Sequence, residues 1–249
     1  MEAGNAEYHN NVSPMLLGVG APRVRLPRHL LPLTESGQLK QVSYSQLSKG
    51  ARAIVAKFEL ATSLEVQQGE DWYKSAFNIA DKISNSYNVD LAVVVGVIAA
   101  LSPNNKWERN IKDAENIIKA FKSGDDDDVM NVKCCTYTMN KLKALNLLKA
   151  IRPCTAEIRT ILKGPKTIEF FNCICQGDDV CIDGHAYSIW FDERLTMKEV
   201  PNIGKRLRAA IKQDYKDATS FINEELRVEY LPSVVQAVTW VTHKRIYGV

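Results

Sequence analysis

The sequence lacks several features that would assign it to a particular class of protein. Its longest apolar run, Leu91–Leu101, is too short to span a bilayer. No segment longer than a few residues alternates apolar and polar side chains as a half-buried strand does, and no internal repeat is present. The chain starts without a basic and then apolar leader. These absences favour a helical protein that is cytoplasmic and has no membrane segment.

Cysteine spacing does not match the common zinc modules. The six cysteines include an adjacent pair, Cys134-Cys135, and a CxC pair, Cys173-Ile174-Cys175, but no two separated CxxC pairs. We expect reduced, mostly buried thiols, and neither a bound metal nor another cofactor.

The composition is that of an ordinary globular protein. The 249 residues are 45% hydrophobic and 24% charged, and the net charge of +3 neither requires nor excludes nucleic acid as a partner. Residues 1–40 contain four prolines, no helical period and three arginines, Arg23, Arg25 and Arg28. They are interpreted as an irregular N-terminal arm, which either contacts a polyanion or is merely solvated.

From Ser43 onward, apolar residues recur with helical spacing, and residues 41–249 are interpreted as a helical domain. Asp90 is a good N-cap for Leu91–Leu101, whose side chains are apolar nearly all round, so this helix should be central. The pattern predicts a mainly α fold, in one domain with two helical lobes. Further helices are predicted at Gln46–Leu60, Trp72–Ile83, Lys106–Phe121, Met139–Ile151, Ile203–Tyr215 and Pro232–Ile246.

The run Asp125–Asp128 is predicted to be a solvated turn, with a divalent-cation site as the alternative.

The stretches LKGPKT and CIDGH carry the strongest chemical signal. Gly164 permits a tight turn and Pro165 suits the first turn of a helix, so Lys166 should project, partly buried, from near a helix N-terminus. Asp183, 17 residues later, could be a helix N-cap or a reacting carboxylate. That separation allows one helix of about three turns and a return loop, so both side chains can face one cleft. An amine beside a carboxylate suits attack on a sugar anomeric carbon.

The segment LKGPKTIEFFNCICQGDDVCIDGH resembles the catalytic signature of helix-hairpin-helix DNA glycosylases, the superfamily of endonuclease III and 8-oxoguanine glycosylase. In those enzymes a hairpin of the form LPGVGxK ends in the catalytic lysine, and an apolar helix leads to a (V/I)D-x-H segment with an essential aspartate. The resemblance implies that Lys166 and Asp183 are catalytic. It also implies that Gly164 is a hairpin glycine and that His185 belongs to the second segment.

A second segment, AALSPNNKWERNIKDAENI, resembles the helix start from which these enzymes insert polar side chains into the DNA stack. By this resemblance Asn104 and Asn105 fill the gap left by an extruded base, and Lys106 and Arg109 lie near phosphates. Without the downstream motif, Pro103 to Asn105 would be interpreted as a helix–helix turn. The motifs LSP…WERN and DxHA also resemble those of phage-type proteins.

The hairpin departs from the family pattern, because Thr160–Gly164 retain only one glycine. Backbone amides of that hairpin hold a DNA phosphate in the family, and Lys163 and Thr167 are expected to contribute here. No cysteine follows Cys181, so the iron–sulfur cluster of some family members is not expected.

The resemblance implies a two-lobed domain of the glycosylase type that acts as a monomer on double-stranded DNA. It would excise a damaged or modified base flipped into a pocket between the lobes, with a Schiff base on Lys166 that can lead to strand cleavage by a lyase reaction. Trp107, His185 and Trp190 are candidate pocket residues. Two alternatives stay open: a non-catalytic DNA-binding protein with the same fold, and a metal-dependent hydrolase using Asp125–Asp128 or the cysteines.

Overall fold

A computed structural model describes residues 43–124, 126–151 and 153–248. Within these ranges the chain forms one 3₁₀ turn, Tyr44–Gln46, and eleven α-helices, with no β-strand, so the prediction of a mainly α fold is confirmed. The interpretation of residues 1–40 as an arm lies outside the described residues. The helices are α1 Lys49–Glu59, α2 Ser63–Tyr87, α3 Leu91–Leu101, α4 Trp107–Ser123, α5 Asp126–Asn131, α6 Thr138–Lys149, α7 Thr155–Leu162, α8 Pro165–Ile174, α9 Gly184–Phe191, α10 Lys205–Leu226 and α11 Pro232–Tyr247.

Helix α3 lies at the centre of the larger of two hydrophobic clusters. Every residue from Val93 to Leu101 is buried, because the helix packs against α2, α4, α6, α7 and α8. The Oδ1 atom of Asp90 accepts hydrogen bonds from the backbone N–H groups of Ala92, at 2.9 Å, and Val93, at 3.3 Å. The predicted N-cap and the predicted central helix are both confirmed.

A second hydrophobic cluster is built mainly from α1, α9, α10 and α11. It meets the first where α11 packs along α2. Gly69 of α2 allows this close approach, because a Cβ atom there would lie 2.3 Å from Cγ2 and 2.6 Å from the backbone nitrogen of Val238. Residues of α2 and α11 at this junction line the pocket described below.

The acidic run differs from the prediction. Asp126 to Asp128 are exposed to solvent, but they form the first turn of α5 rather than an irregular turn, and Asp125 lies outside the described residues. Carboxylates stabilise a helix N-terminus through its dipole, which explains why an acidic run can start a helix. Asp126 also forms an ion pair with Lys149 of α6.

The expectation of mostly buried thiols is wrong. All six cysteines are free, and Cys173 and Cys181 are buried, but Cys135, Cys154 and Cys175 are exposed. Two of the three exposed thiols stand at helix ends, Cys154 as the N-cap of α7 and Cys175 as the C-cap of α8.

Among the described residues, no single helix has the length and apolar composition needed to cross a membrane. The pair α2 and α3 meets that requirement only jointly, with a bend of 119° between the two helices.

Candidate active site

The stretch LKGPKT forms a tight link between two helices. Helix α7 ends at Leu162, and its C-cap Lys163 has a left-handed φ of 60°. Gly164 follows as the N-cap of α8, whose first residue is Pro165. The backbone N–H of Gly164 donates to the carbonyl of Leu162 at 2.7 Å, and the Thr167 hydroxyl donates to the carbonyl of Gly164 at 2.8 Å. The predicted turn and the helix start at Pro165 are therefore confirmed.

Lys166 occupies the second position of α8. Its side chain is exposed rather than partly buried. The first turn of a helix with a solvent-facing start leaves a long side chain free to extend, so this amine is accessible to a macromolecular substrate.

Asp183 is the N-cap of α9. Its Oδ1 atom accepts a hydrogen bond from the backbone N–H of Ala186 at 2.9 Å, which confirms the predicted cap. Oδ2 takes no hydrogen bond from any residue that the structure describes. The cap therefore fixes the carboxylate in position and leaves one oxygen available for another role.

A buried ionic network connects α8 with the segment before Asp183. Glu169 is 2% exposed, and its carboxylate contacts Arg208 at 2.6 Å and Lys212 at 2.9 Å, both on α10. It also accepts a 3.0 Å hydrogen bond from the backbone N–H of Ile182. Burial raises the pKa of Glu169, whereas Lys212 and Arg208 favour its charged form. The network sets the relative position of α8 and the chain entering α9.

Lys166 and Asp183 line one pocket of about 160 Å³. Its walls are aromatic: the ring centroid of Trp72 lies 5.1 Å from Trp107, and 5.9 Å from both Phe170 and Trp240. The stretches LKGPKT and CIDGH are therefore close in space, as predicted, and they lie beside a surface suited to a flat, apolar ring. The remaining lining residues are Tyr73, Ser102, Asn105, Asn110, Cys181, Gln236 and Ala237.

The other titratable groups of the pocket are held in their neutral forms. Burial raises the pKa of the Cys181 thiol well above its ordinary value, and the charge of Asp183 adds to this. Burial likewise raises the pKa of Tyr73 well above its ordinary value. A thiol is reactive as a thiolate, so Cys181 is a poor nucleophile. Lys166 is the better placed nucleophile of the lining.

The two predicted asparagines occupy different positions. Asn104 is exposed at the tip of the turn between α3 and α4, has a φ of 58°, and donates to the hydroxyl of Tyr137 at 3.2 Å. Asn105 lines the pocket, and its Nδ2 donates to the buried carboxylate of Asp113 at 3.0 Å. The stretch forms the helix–helix turn that was the alternative interpretation, and of the two asparagines only Asn105 lines the pocket.

The cations that were predicted to contact phosphates differ in whether another group of the protein already binds them. Lys106 and Lys163 are exposed. Arg109 is held by Asp113, 2.7 Å from its Nε, and by the carbonyl of Lys133 at 3.3 Å, although its side chain is 50% exposed. The Thr167 hydroxyl is engaged with Gly164, as described above.

Of the three candidate pocket residues, Trp107 lines the pocket, whereas His185 and Trp190 are not part of its lining. The Nε1 of Trp190 donates to Asp214 at 2.6 Å, and its ring contacts Tyr187 in the second cluster. The His185 ring lies 5.8 Å from that of His243 on α11. Burial, Lys57 and His185 lower the pKa of His243 to about 4, so this histidine is neutral at physiological pH.

Several pocket residues were not predicted from the sequence. Phe170 could have been found, because it lies one helical turn after Lys166 and so shares its face of α8. Asn110 is a polar residue on the apolar face of α4, three positions after Trp107, which is a local signal for a site. Trp72 and Trp240 came from helices far apart in sequence, and nothing local indicates that they meet.

In the described part of the chain, no three His, Cys, Asp or Glu side chains are grouped so that they could hold a metal ion. Asp125 is outside that part.

Comparison with known proteins identifies a family. The sequence model of a family described as "Family of unknown function (DUF7178)" matches residues 37–246, and the chain therefore belongs to that family. No curated protein and no solved structure matches the chain.

Proposed function

We propose that this member of the DUF7178 family is a DNA N-glycosylase, with Lys166 as nucleophile and Asp183 as the carboxylate that assists it. The observation that carries the proposal is the presence of both side chains in one aromatic-walled pocket. The motif resemblance supports it independently, because the two residues were selected from the sequence. The proposal includes a two-lobed arrangement in which α2 and α11 join the lobes.

The reaction begins when a base rotates out of the duplex and enters between the indole and phenyl rings. The lone pair on the Nζ atom of Lys166 attacks C1′ of the deoxyribose. The bond between C1′ and the base breaks, and the base leaves with the electron pair and takes up a proton. Asp183 stabilises the positive charge that develops on the sugar and accepts a proton from the amine.

The remaining N–H proton passes to O4′ as the C1′–O4′ bond opens, and the nitrogen forms the C=N bond of a Schiff base between Lys166 and the sugar. β-Elimination from this intermediate would cleave the strand, which is the lyase activity. Hydrolysis without elimination would give a plain abasic site.

Exposed groups beside the pocket are suited to hold the DNA. Asn104, at the tip of its turn, would occupy the gap in the stack, and Lys106 and Lys163 would contact phosphates. The single glycine of the hairpin is the one feature that favours a non-catalytic DNA-binding protein instead, because it weakens the expected phosphate cradle.

Trapping with borohydride on a duplex that contains an abasic site separates these two functions. Borohydride reduces the C=N bond of a Schiff base to a stable amine, so the proposed enzyme becomes covalently attached to DNA and a binder does not. We expect Lys166→Gln to abolish trapping. Lys82→Gln, which changes an exposed lysine of α2 away from the pocket, should trap like the wild type.

Asp183→Asn tests the carboxylate without removing the helix cap, because asparagine is an equally good N-cap. With a panel of duplexes that carry damaged or modified bases, the variant should bind DNA normally and lose about 100-fold or more in base release. Release at the wild-type rate would show that Asp183 only caps α9.

A further inference from the structure

Two amide side chains of the pocket are held in one orientation each. The Nδ2 of Asn105 donates to Asp113 Oδ2 at 3.0 Å and lies 3.4 Å from the carbonyl of Leu101. The Nδ2 of Asn110 donates to the carbonyl of Ile98 at 3.1 Å. Carboxylate and carbonyl oxygens accept only, so neither amide can flip without losing these bonds.

The Oδ1 atoms are therefore the ends of these amides that stay without a partner. Oδ1 of Asn105 and Oδ1 of Asn110 are both buried, and neither accepts a hydrogen bond from the described residues. A buried carbonyl oxygen without a donor costs roughly 1–3 kcal/mol. A ligand that supplies N–H groups would recover that energy.

Gln236 contributes the opposite polarity. Its Oε1 accepts a 3.0 Å hydrogen bond from the hydroxyl of Tyr73, and burial keeps that phenol protonated by raising its pKa. The Nε2 of Gln236 makes no hydrogen bond within the described ranges. The pocket lining thus contains two carbonyl oxygens without a donor among the described residues, on Asn105 and Asn110, and one amide nitrogen without an acceptor, on Gln236.

We propose that the pocket selects bases that carry an exocyclic amino group beside a ring nitrogen or carbonyl acceptor, as adenine and cytosine do. This inference rests on the proposed function for the way in which the base arrives. The amino N–H groups face the two asparagine oxygens, and Gln236 donates to the neighbouring acceptor. A cavity of about 150 Å³ holds benzene, so the space of about 160 Å³ suits one flat ring system.

Bases with a carbonyl in place of the amino group are rejected. Uracil, thymine and hypoxanthine would bring an oxygen against Asn105 or Asn110, which leaves two acceptors facing each other and both without a donor. Loss of one hydrogen bond and the desolvation that goes with it correspond to about 10- to 100-fold in affinity.

Intrinsic fluorescence measures occupancy of the pocket without any reaction. Three of the four tryptophans, Trp72, Trp107 and Trp240, line it. Free bases are added in pairs that differ by one amino group: cytosine against uracil, and adenine against hypoxanthine. We expect saturable quenching by the amino member of each pair and at least about 10-fold weaker binding of its partner. Equal affinity within both pairs, or no saturable binding by any base, would overturn the inference.

The variant Asn110→Leu removes one acceptor at similar volume and should bring each pair to within about 3-fold. Asn85→Leu, which replaces an exposed asparagine whose side chain donates to Asp81, should keep the wild-type preference. Retained discrimination in a folded Asn110→Leu protein would also contradict the inference.

The two proposals fail separately. Borohydride trapping on abasic DNA needs Lys166 but no base in the pocket. Trapping without a preference for amino bases would contradict this inference but would still support the glycosylase. A preference for amino bases without trapping would support a base-binding pocket but would contradict the Schiff-base chemistry.

Discussion

Glu169 accepts a hydrogen bond from the backbone N–H of Ile182, with 3.0 Å between nitrogen and Oε2. Glu169 lies one helical turn after Lys166, and Ile182 immediately precedes Asp183. One buried carboxylate therefore connects the element that carries the proposed nucleophile with the element that carries the proposed assisting group. Arg208 reinforces the connection, because its Nη1 donates to Glu169 and, at 2.8 Å, to the carbonyl of Ile182.

We expect Glu169→Gln to lower activity although residue 169 makes no contact with the substrate. The substitution removes the carboxylate that pairs with Arg208, and this should lower the unfolding free energy by about 3 kcal/mol. Displacement of Asp183 relative to Lys166 should slow borohydride trapping by about 10- to 100-fold. Urea unfolding and the trapping rate measure the two effects.

The control is Glu224→Gln, which changes an exposed carboxylate on α10. A Glu169→Gln protein that is destabilised but traps at the wild-type rate would mean that the network supports the fold alone.

Gly69→Ala should separate α2 from α11. A Cβ atom at residue 69 would lie 2.6 Å from the backbone nitrogen and 2.7 Å from the Cα of Val238, so the backbone of α11 must move. Overpacking of this kind costs about 1–3 kcal/mol in unfolding free energy, partly offset by the better helix propensity of alanine. Both helices line the pocket, so the affinity for free bases should fall as well.

Gly204→Ala provides the comparison, because nothing lies within 4 Å of a Cβ atom there. Thermal unfolding of both variants decides the point: a melting temperature for Gly69→Ala equal to that of the wild type would show that α11 shifts without cost.

Stability should decline in mild acid because of His243. Burial is the main reason that the pKa of His243 falls from 6.5 to about 4, and Lys57 and His185 add to it while Asp183 opposes it. The unfolded chain takes up a proton at this site below pH 6.5, whereas the folded chain resists until about pH 4. The contribution of neutral His243 to the unfolding free energy is therefore complete above its unfolded pKa of 6.5. It decreases as the pH falls towards 4, by up to about 1 kcal/mol per pH unit.

His243→Gln, which does not titrate, isolates this contribution. Urea midpoints measured from pH 7 to pH 4.5 should fall more steeply for the wild type than for the variant. Parallel curves would show that other groups dominate the acid sensitivity.

Local features of the site could be predicted from the sequence. Pro165 after a glycine indicated where α8 begins, and Asp183 before a glycine indicated the cap of α9, because caps and turns depend on residue types within a few positions. The apolar segment after Asp90 indicated the central helix for the same reason.

The long-range features could not be predicted. Trp72, Phe170 and Trp240 meet in one wall only because α2, α8 and α11 cross there, and the pairing of helices is set by packing over the whole core. The orientation of Asn105 depends on Asp113, a buried carboxylate that a helical pattern assigns to the polar face. The ionic network of Glu169 likewise joins residues from separate helices.

The most direct test of the account is the identification of the residue that becomes attached to DNA. After trapping of the wild-type protein on an abasic duplex, digestion and peptide mass spectrometry locate the reduced adduct. The account predicts a single adduct, on Lys166. An adduct on another lysine such as Lys163, or no covalent complex under conditions in which the protein binds the duplex, would contradict it.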